Sequence, residues 1–297
     1  MSTSTAIHTI LTHPGGAHKD DLLAACVLIA LHGAPVVRRE PTAAELDDRG
    51  VAVVDVGGSH DPARMNFDHH HFDREHPPTC ALSLVLDSLG LYRDALHFCD
   101  WLEPAEWFDS RGPGKTARWL GVPRKAISQL HSPIDVTLLR RFAAGSRFEP
   151  GDTLYEFMRM TGEDLLAYLR GIRARLDAIG GSVERWELGA ELPGAAADAL
   201  VVFLPRAEPS IDEPSSAAHQ YVRSEELGSR VIATIYPDRR GSGYGVARYE
   251  DHPKLDFSRV EAETDVHFAH KSGFMCKTSA TDPARLRELV RAAWAPN

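Results

Sequence analysis

At 297 residues the chain exceeds the usual single-domain size, so two domains with substantial cores are expected. A formal net charge of −9 argues against a chain whose main task is gripping a nucleic-acid backbone, although a local basic groove or a metal can offset a global deficit. The four cysteines, Cys26, Cys80, Cys99 and Cys276, form no C-x-x-C pair, which speaks against a disulfide scaffold or a Cys-rich zinc knuckle.

In chain order, residues 7–12 read as a short strand, followed by the Gly-bearing loop HPGGAHK. Asp20 and Asp21 open an apolar helix over 22–31, where acidic residues suit the first-turn dipole, and Gly33 ends it. Residues 35–39 form a second strand whose end, Arg38-Arg39, reads as solvated charge. Thr42 and Glu45 fit a capping box for a short helix. Residues 51–56, VAVVDV, are a continuous apolar run of the kind buried parallel strands show. This alternation predicts an α/β domain.

After the histidine run at 69–71, helices are expected over 79–89 and 91–102. The Pro- and Gly-punctuated stretch 113–132 is ambiguous between loop and helical excursion. Further helices are expected over 134–142 and 153–179. Strands are expected over 199–204, 230–236 and 244–249, and a final helix starts at Asp282-Pro283. The texture changes between about 181 and 196. The expected layout is therefore a catalytic domain over 1–185, with a mainly parallel sheet flanked by helices, and a smaller α+β domain over 196–297. The N-terminus MSTSTAIHTI shows no secretory pattern, and no apolar run approaches the ~18–20 residues of a membrane span. A cytoplasmic protein without a membrane partner is expected; a homo-oligomer stays open.

Four stations carry candidate chemistry. The first is His13, His18, Asp20 and Asp21, beyond the first strand. The second is Asp55, near the end of VAVVDV. The third is Asp68-His69-His70-His71, and the fourth is Asp100 with Glu103, which one helix would present on one face. In α/β sheets, ligand sites gather outside the carboxyl ends of the strands, where the first two stations fall. More than four His/Asp candidates suit two divalent ions better than one structural zinc. Two ions about 3.5–4 Å apart share a bridging water, lower its pKa and cradle a phosphoryl group in an in-line displacement. Asp55 is the candidate to bridge them. Imidazole ligands favour Mn²⁺, Co²⁺ or Zn²⁺ over Mg²⁺, with Mn²⁺ preferred. Asp68 suits the task of orienting a neighbouring imidazole; His71 has no assigned role. Arg240, in the loop Asp238-Arg239-Arg240-Gly-Ser-Gly243, is a cation suited to phosphate.

These motifs make the chain resemble the DHH phosphoesterase superfamily, named for Asp-His-His, here Asp68-His69-His70. More narrowly it resembles the melanocyte-proliferating-gene-type exonucleases, also labelled metal-dependent protein hydrolases. Their T-H-x-G-x-x-H-x-D-(D/E) start is matched by Thr12, His13, Gly15, His18, Asp20 and Asp21. Their D-V-G-G is matched at 55–58, F-D-H-H at 67–70, and H-x-x-G-F by His270, Gly273 and Phe274. The resemblance implies metals in the first domain and substrate-binding groups on the second. It implies His13, His18, Asp20, Asp55, His69 and an aspartate near 100 as ligands, His70 facing substrate, and His270 and Gly273 in a substrate-binding loop.

The chain departs from that pattern in places. Pro14 replaces the usual Asn, and small residues replace the aromatic before His18. At the fourth station Asp100-Trp-Leu-Glu103-Pro stands for Asp-x-x-Asp-(Asn/Thr)-Gly. Asp100 is preferred there, with Asp109 its rival. The expected function is a metal-dependent phosphoesterase acting on a small phosphorylated substrate or a short oligonucleotide. A pyrophosphatase-like hydrolase and a non-catalytic, metal-dependent nucleotide sensor are the alternatives.

Overall fold

The computed structural model describes residues 6–129 and 132–295. Two compact units divide between Arg170 and Gly171, ahead of the 181–196 stretch where the sequence texture changes. The protein is mixed α/β, with one six-stranded sheet in each unit. No described helix is long and apolar enough to cross a membrane.

The first unit opens with β1 (Thr9–Thr12), α1 (Lys19–His32), β2 (Val36–Arg38), α2 (Ala43–Asp47) and β3 (Val51–Val54). Two short strands, β4 (His60–Asp61) and β5 (Asn66–Phe67), follow. Then come α3 (Ala81–Ser88), α4 (Tyr92–Phe98), α5 (Leu102–Arg111), α6 (Pro113–Trp119), α7 (Arg124–Gln129), α8 (Pro133–Ala144), β6 (Arg147–Phe148) and α9 (Thr153–Ile179), which runs across the division. The strand order is β4-β5-β3-β1-β2-β6. β1 pairs in parallel with β2 and β3, and β3 with β5, while β4 and β6 close the edges antiparallel.

Side chains alternate across these strands. Ile10, Val36, Ala52 and Val54 join the core that α1 and α3 build. Leu11, Val51 and Val53 face the other way, with Leu46 of α2 packed against them. Apolar residues on both faces are why VAVVDV reads as an unbroken apolar run. α9 crosses α1 so closely that a Cβ on Gly162 would lie 2.0 Å from the Cys26 carbonyl oxygen.

The order β3-β1-β2 matters most. The chain leaves β1 to one side through α1 and β2, then returns to the other side with β3. The carboxyl ends of β1 and β3 therefore flank a topological switch point, the place where open α/β sheets form their crevice.

The helix expected over 91–102 stops short at Phe98, and a turn follows. α4 ends at Phe98 with Cys99 in a non-helical conformation (φ −113°, ψ 82°), and α5 starts afresh at Leu102. The ambiguous stretch after residue 113 resolves into α6 and α7.

The second unit contains β7 (Glu184–Glu187), β8 (Leu200–Phe203), α10 (Pro214–Ser224), β9 (Val231–Pro237), β10 (Tyr244–Arg248), β11 (Val266–Ala269), β12 (Met275–Thr278) and α11 (Pro283–Ala293). Its order is β11-β12-β10-β9-β8-β7. Among the described residues of this unit only β8 and β9 pair in parallel, with α10 between them in the chain. The separate core includes Trp186, Val201, Ile235, Val246, Leu286 and Leu289. The reading of 199–204, 230–236 and 244–249 as strands matches β8, β9 and β10; β7, β11 and β12, with polar or exposed residues, were missed.

Candidate metal centre

Three strand ends and two helices deliver the site. His13 follows β1, Asp55 follows β3 and Asp68-His69 follow β5. Asp20 and Asp21 sit in the first turn of α1, and Asp109 near the end of α5. Asp55 adopts a left-handed conformation (φ 56°), which Asp tolerates better than most residues. Its backbone N–H still donates to Phe67 O at 3.0 Å. The turn that follows uses positive φ at both Gly57 and Gly58. A Cβ on Gly57 would sit 2.8 Å from the terminal Cδ2 of Leu46, which can swing aside, so it is the positive φ of 96° that calls for glycine there.

Asp55 is the hub. His13 Nε2 lies 3.4 Å from Asp55 Oδ2, and His69 Nε2 lies 3.1 Å from Asp55 Oδ1. Asp109 spans two histidines, with Oδ1 3.3 Å from His18 Nδ1 and Oδ2 2.9 Å from His69 Nε2. Three overlapping groups bring ligand atoms within 4.8 Å of one another: His13, His18 and Asp55; Asp55, His69 and His70; and Asp20, Asp55, His69 and Asp109. Asp55 belongs to all three. The cleft over them, about 430 Å³, is lined by His13, His18, Asp55 and His70 among others.

The donors are oriented from behind. His13 Nδ1 is 2.9 Å from Pro14 O, so it carries the proton there and turns Nε2 toward the carboxylates. Asp21 Oδ1 accepts from the His18 and Leu22 backbone N–H groups at 2.9 and 2.7 Å, and its Oδ2 lies 3.2 Å from His13 Nε2. Asp20 Oδ2 accepts from Ala81 N, the first residue of α3, at 3.3 Å. Asp68 accepts from Gly58 N at 2.6 Å and from His70 N at 3.0 Å, and pairs with His70 Nδ1 at 2.7 Å. Glu106 is buried one helical turn before Asp109; Ser83 and Tyr92 hydroxyls donate to it at 2.5 and 2.8 Å, tying α5 to α3 and α4.

The electrostatics show an excess of negative charge. Burial, then Asp55 and Asp109, push the Asp20 carboxyl well above the ordinary carboxylate range. Asp21 and Asp55 raise the His13 imidazole to about 10. Burial lowers His69, but Asp109 and Asp55 outweigh it and hold that imidazole at about 10. Buried Asp20 Oδ1 has no hydrogen-bond partner, and Asp21 Oδ2 and His13 Nε2 meet only as an ion pair at 3.2 Å, outside hydrogen-bond geometry. Clustered carboxylates, imidazoles whose inward nitrogens can give up a proton and an orphaned buried oxygen are the donor set a hard-to-borderline divalent cation takes.

The structure therefore gathers His13, His18, Asp20, Asp55, His69 and His70. It does not bring Asp100 among them. Asp100 is exposed in the turn between α4 and α5, because the helix expected to present it is broken there, whereas α5 carries Asp109 into the cluster. Glu103 is likewise exposed. His71 is exposed and stacks edge-on against Phe72.

Arg38 corrects another expectation. Far from being solvated, it is 4% exposed. Its guanidinium donates to Gly15 O, Gly16 O and Phe142 O at 3.2, 3.0 and 2.9 Å and stands 3.6 Å from Asp21 Oδ2. It thus pins the loop between His13 and His18. Its place at the carboxyl end of a parallel strand was the signal available in the sequence.

The other candidates lie in the second unit. His270 follows β11, with Nδ1 2.7 Å from Ser272 Oγ and its ring 4.3 Å from that of Phe274. Gly273 has φ +70°, and a Cβ there would fall 2.0 Å from Asp256 Oδ1, so the turn excludes any side chain. Arg240 is exposed in the loop between β9 and β10, its N–H donating to Asp238 Oδ1 at 3.2 Å.

Fold and site define a mixed α/β protein with a His/Asp cluster, suited to divalent cations, at a sheet switch point. Residues 9–91 match the MYG1_exonuc family model, described as Uncharacterised protein family (UPF0160). The match supports the MYG1-type resemblance over β1 to α3; it contains every clustered residue except Asp109. No curated protein matches the chain.

Proposed function

We propose that this protein is a metal-dependent phosphoesterase that cleaves phosphodiester bonds in nucleotides or short oligonucleotides, exonuclease-like as the matched family's name suggests. One observation carries the reading: Asp55 is common to three overlapping His/Asp groups, the geometry expected of a carboxylate shared between two ions. His13, His18, Asp55, His69, Asp20 and Asp109 would hold two divalent ions, Mn²⁺ preferred. Bound there, such ions polarise a phosphoryl oxygen and lower the pKa of water toward neutrality.

The chain's own residues supply the rest. His70 is exposed toward the cleft, while Asp68 holds its Nδ1 at 2.7 Å. That contact fixes the tautomer, stabilises the imidazolium and leaves Nε2 to donate a proton to a leaving oxygen. Asp68 raises the His70 pKa, as a general acid near neutral pH requires. Arg38 and Glu106 set the positions of the His13–His18 loop and of Asp109. On this reading His270, Gly273 and Arg240 contribute substrate contacts, and the protein works in the cytoplasm. Asp109 would also fill the fourth station, where the sequence departs from the Asp-x-x-Asp pattern.

The test is hydrolysis of small phosphodiesters, pyrophosphate and short RNA and DNA by metal-loaded protein, with metal content measured in parallel. About two ions per chain and diester turnover lost in Asp55→Ala are expected. No diester turnover with Mn²⁺, Co²⁺ or Mg²⁺, or turnover indifferent to Asp55→Ala, overturns the proposal; phosphate release from pyrophosphate alone selects the pyrophosphatase alternative.

A further inference from the structure

We infer that the outer face of α5, α6 and α7 is a binding platform for single-stranded nucleic acid. The inference deepens the proposed function by naming a substrate class, and it rests on that reading only for the link to turnover. Residues 110–134 contain five cations and no carboxylate, in a chain whose net charge is −9. Lys115, Arg118, Arg124 and Lys125 are exposed, and none forms an ion pair among the described residues. A local basic field of this kind attracts a polyanion despite the global charge.

Aromatic surface adjoins that segment: Trp119 lies within it, and Trp107 is on α5, one turn after the exposed Glu103, the carboxylate nearest the pair in the sequence on that face. Trp107 and Trp119 stack with ring centroids 5.0 Å apart and planes 10° apart, and Trp119 is 36% exposed. A paired indole beside unpartnered cations is what sequence-tolerant single-strand binding requires: bases stack on the ring while the cations follow the phosphates. A duplex keeps its bases stacked on each other and has no free face to offer. An acidic peptide would use the cations but not the flat rings.

Trp107 precedes Asp109 by two residues on α5, so their side chains diverge by about 200° round the helix. The platform therefore lies on the opposite flank of α5 from the carboxylate cluster. It grips a strand at a distance from the reacting bond and takes no part in the chemistry. Loss of the platform should raise KM for oligonucleotides and leave a small diester untouched.

The test is fluorescence anisotropy with metal-free protein in EDTA, using labelled U12, dT12 and a 12-base-pair duplex. Four neutralised phosphates on a single strand give a log–log salt slope of about −3. Trp119→Ala should weaken single-strand binding about tenfold, with Trp119→Phe recovering most of it. The Arg118→Glu/Arg124→Glu double variant should weaken binding at least tenfold. In turnover assays both should raise KM for U12 while leaving kcat/KM for bis(p-nitrophenyl) phosphate unchanged. Equal affinity for duplex and single strand, a slope near zero, or unaltered binding by both variants overturns the platform. Hydrolysis of the small diester without strand binding refutes the platform alone. Strand binding with the expected variant losses, but no diester hydrolysis, upholds it and refutes the proposed function.

Discussion

Arg38→Ala tests how the site is held together. The substitution removes three charge-assisted hydrogen bonds, to Gly15 O, Gly16 O and Phe142 O, and a guanidinium 4.6 Å above the Phe142 ring. The Gly15 and Gly16 carbonyls belong to an exposed loop and regain water, so their loss costs little. The contact to Phe142 O is buried, and the fully buried Asp21 side chain loses the cation 3.6 Å away. Removing one partner of a buried pair costs about 3–5 kcal/mol. At about 2–4 °C per kcal/mol for a unit the size of Met1–Arg170, the melting temperature of that unit in the metal-free protein should fall by about 6–20 °C. Freed of its clamp, the loop between His13 and His18 should bind metal about 10–100-fold more weakly, the usual effect of losing a group that orients ligands. Arg38→Lys should recover less than half, because one ammonium cannot fork across three carbonyls. Scanning calorimetry and metal titration measure both effects. Arg38→Met is the control: it keeps an apolar stem without donors. Wild-type stability and metal affinity in Arg38→Met would refute the reasoning, since packing alone would then suffice.

Other expectations follow from the same geometry. Asp109→Ala should lower metal-dependent turnover by at least about a hundredfold, beyond the 10–100-fold typical of groups behind the ligands, whereas Asp100→Ala should leave metal content and turnover unchanged; the reverse pattern would restore the position preferred from sequence. His13 and His69 are held protonated up to about 10 by their carboxylate partners, so metal binding must displace protons and apparent affinity should rise with pH. For the metal-free protein the sign is opposite: a raised histidine pKa stabilises fully below the ordinary 6.5 and is lost as pH climbs through about 10. Its melting temperature should therefore fall between pH 7 and 10 while the metal-loaded form resists that fall, and parallel pH profiles of the two forms would count against metal at these histidines. Gly162→Ala, which forces a Cβ against the Cys26 carbonyl, should destabilise the first unit by about 1–3 kcal/mol by overpacking; denaturant unfolding that shows no loss would mean that α9 yields readily.

Much of this protein is written locally. The apolar run at 51–56, the capping box at Thr42 and Glu45, and the His/Asp motifs at the ends of β1, β3 and β5 all rest on short-range rules of side-chain alternation, capping and strand-end chemistry. Their contacts could be anticipated because a parallel strand buried on both faces leaves its carboxyl end as the place for polar groups. What sequence spacing could not decide were the meetings between distant segments. Asp100 and Asp109 are nine positions apart in one helical region; the break after Phe98 turns the first to solvent, while Glu106, tied to Ser83 and Tyr92, presents the second to His18 and His69. Arg38 reads as solvated charge until the His13–His18 loop and the end of α8 converge on it and supply carbonyls for its donors. A charged side chain is buried only when other parts of the chain arrive to satisfy it, and that condition belongs to the tertiary fold.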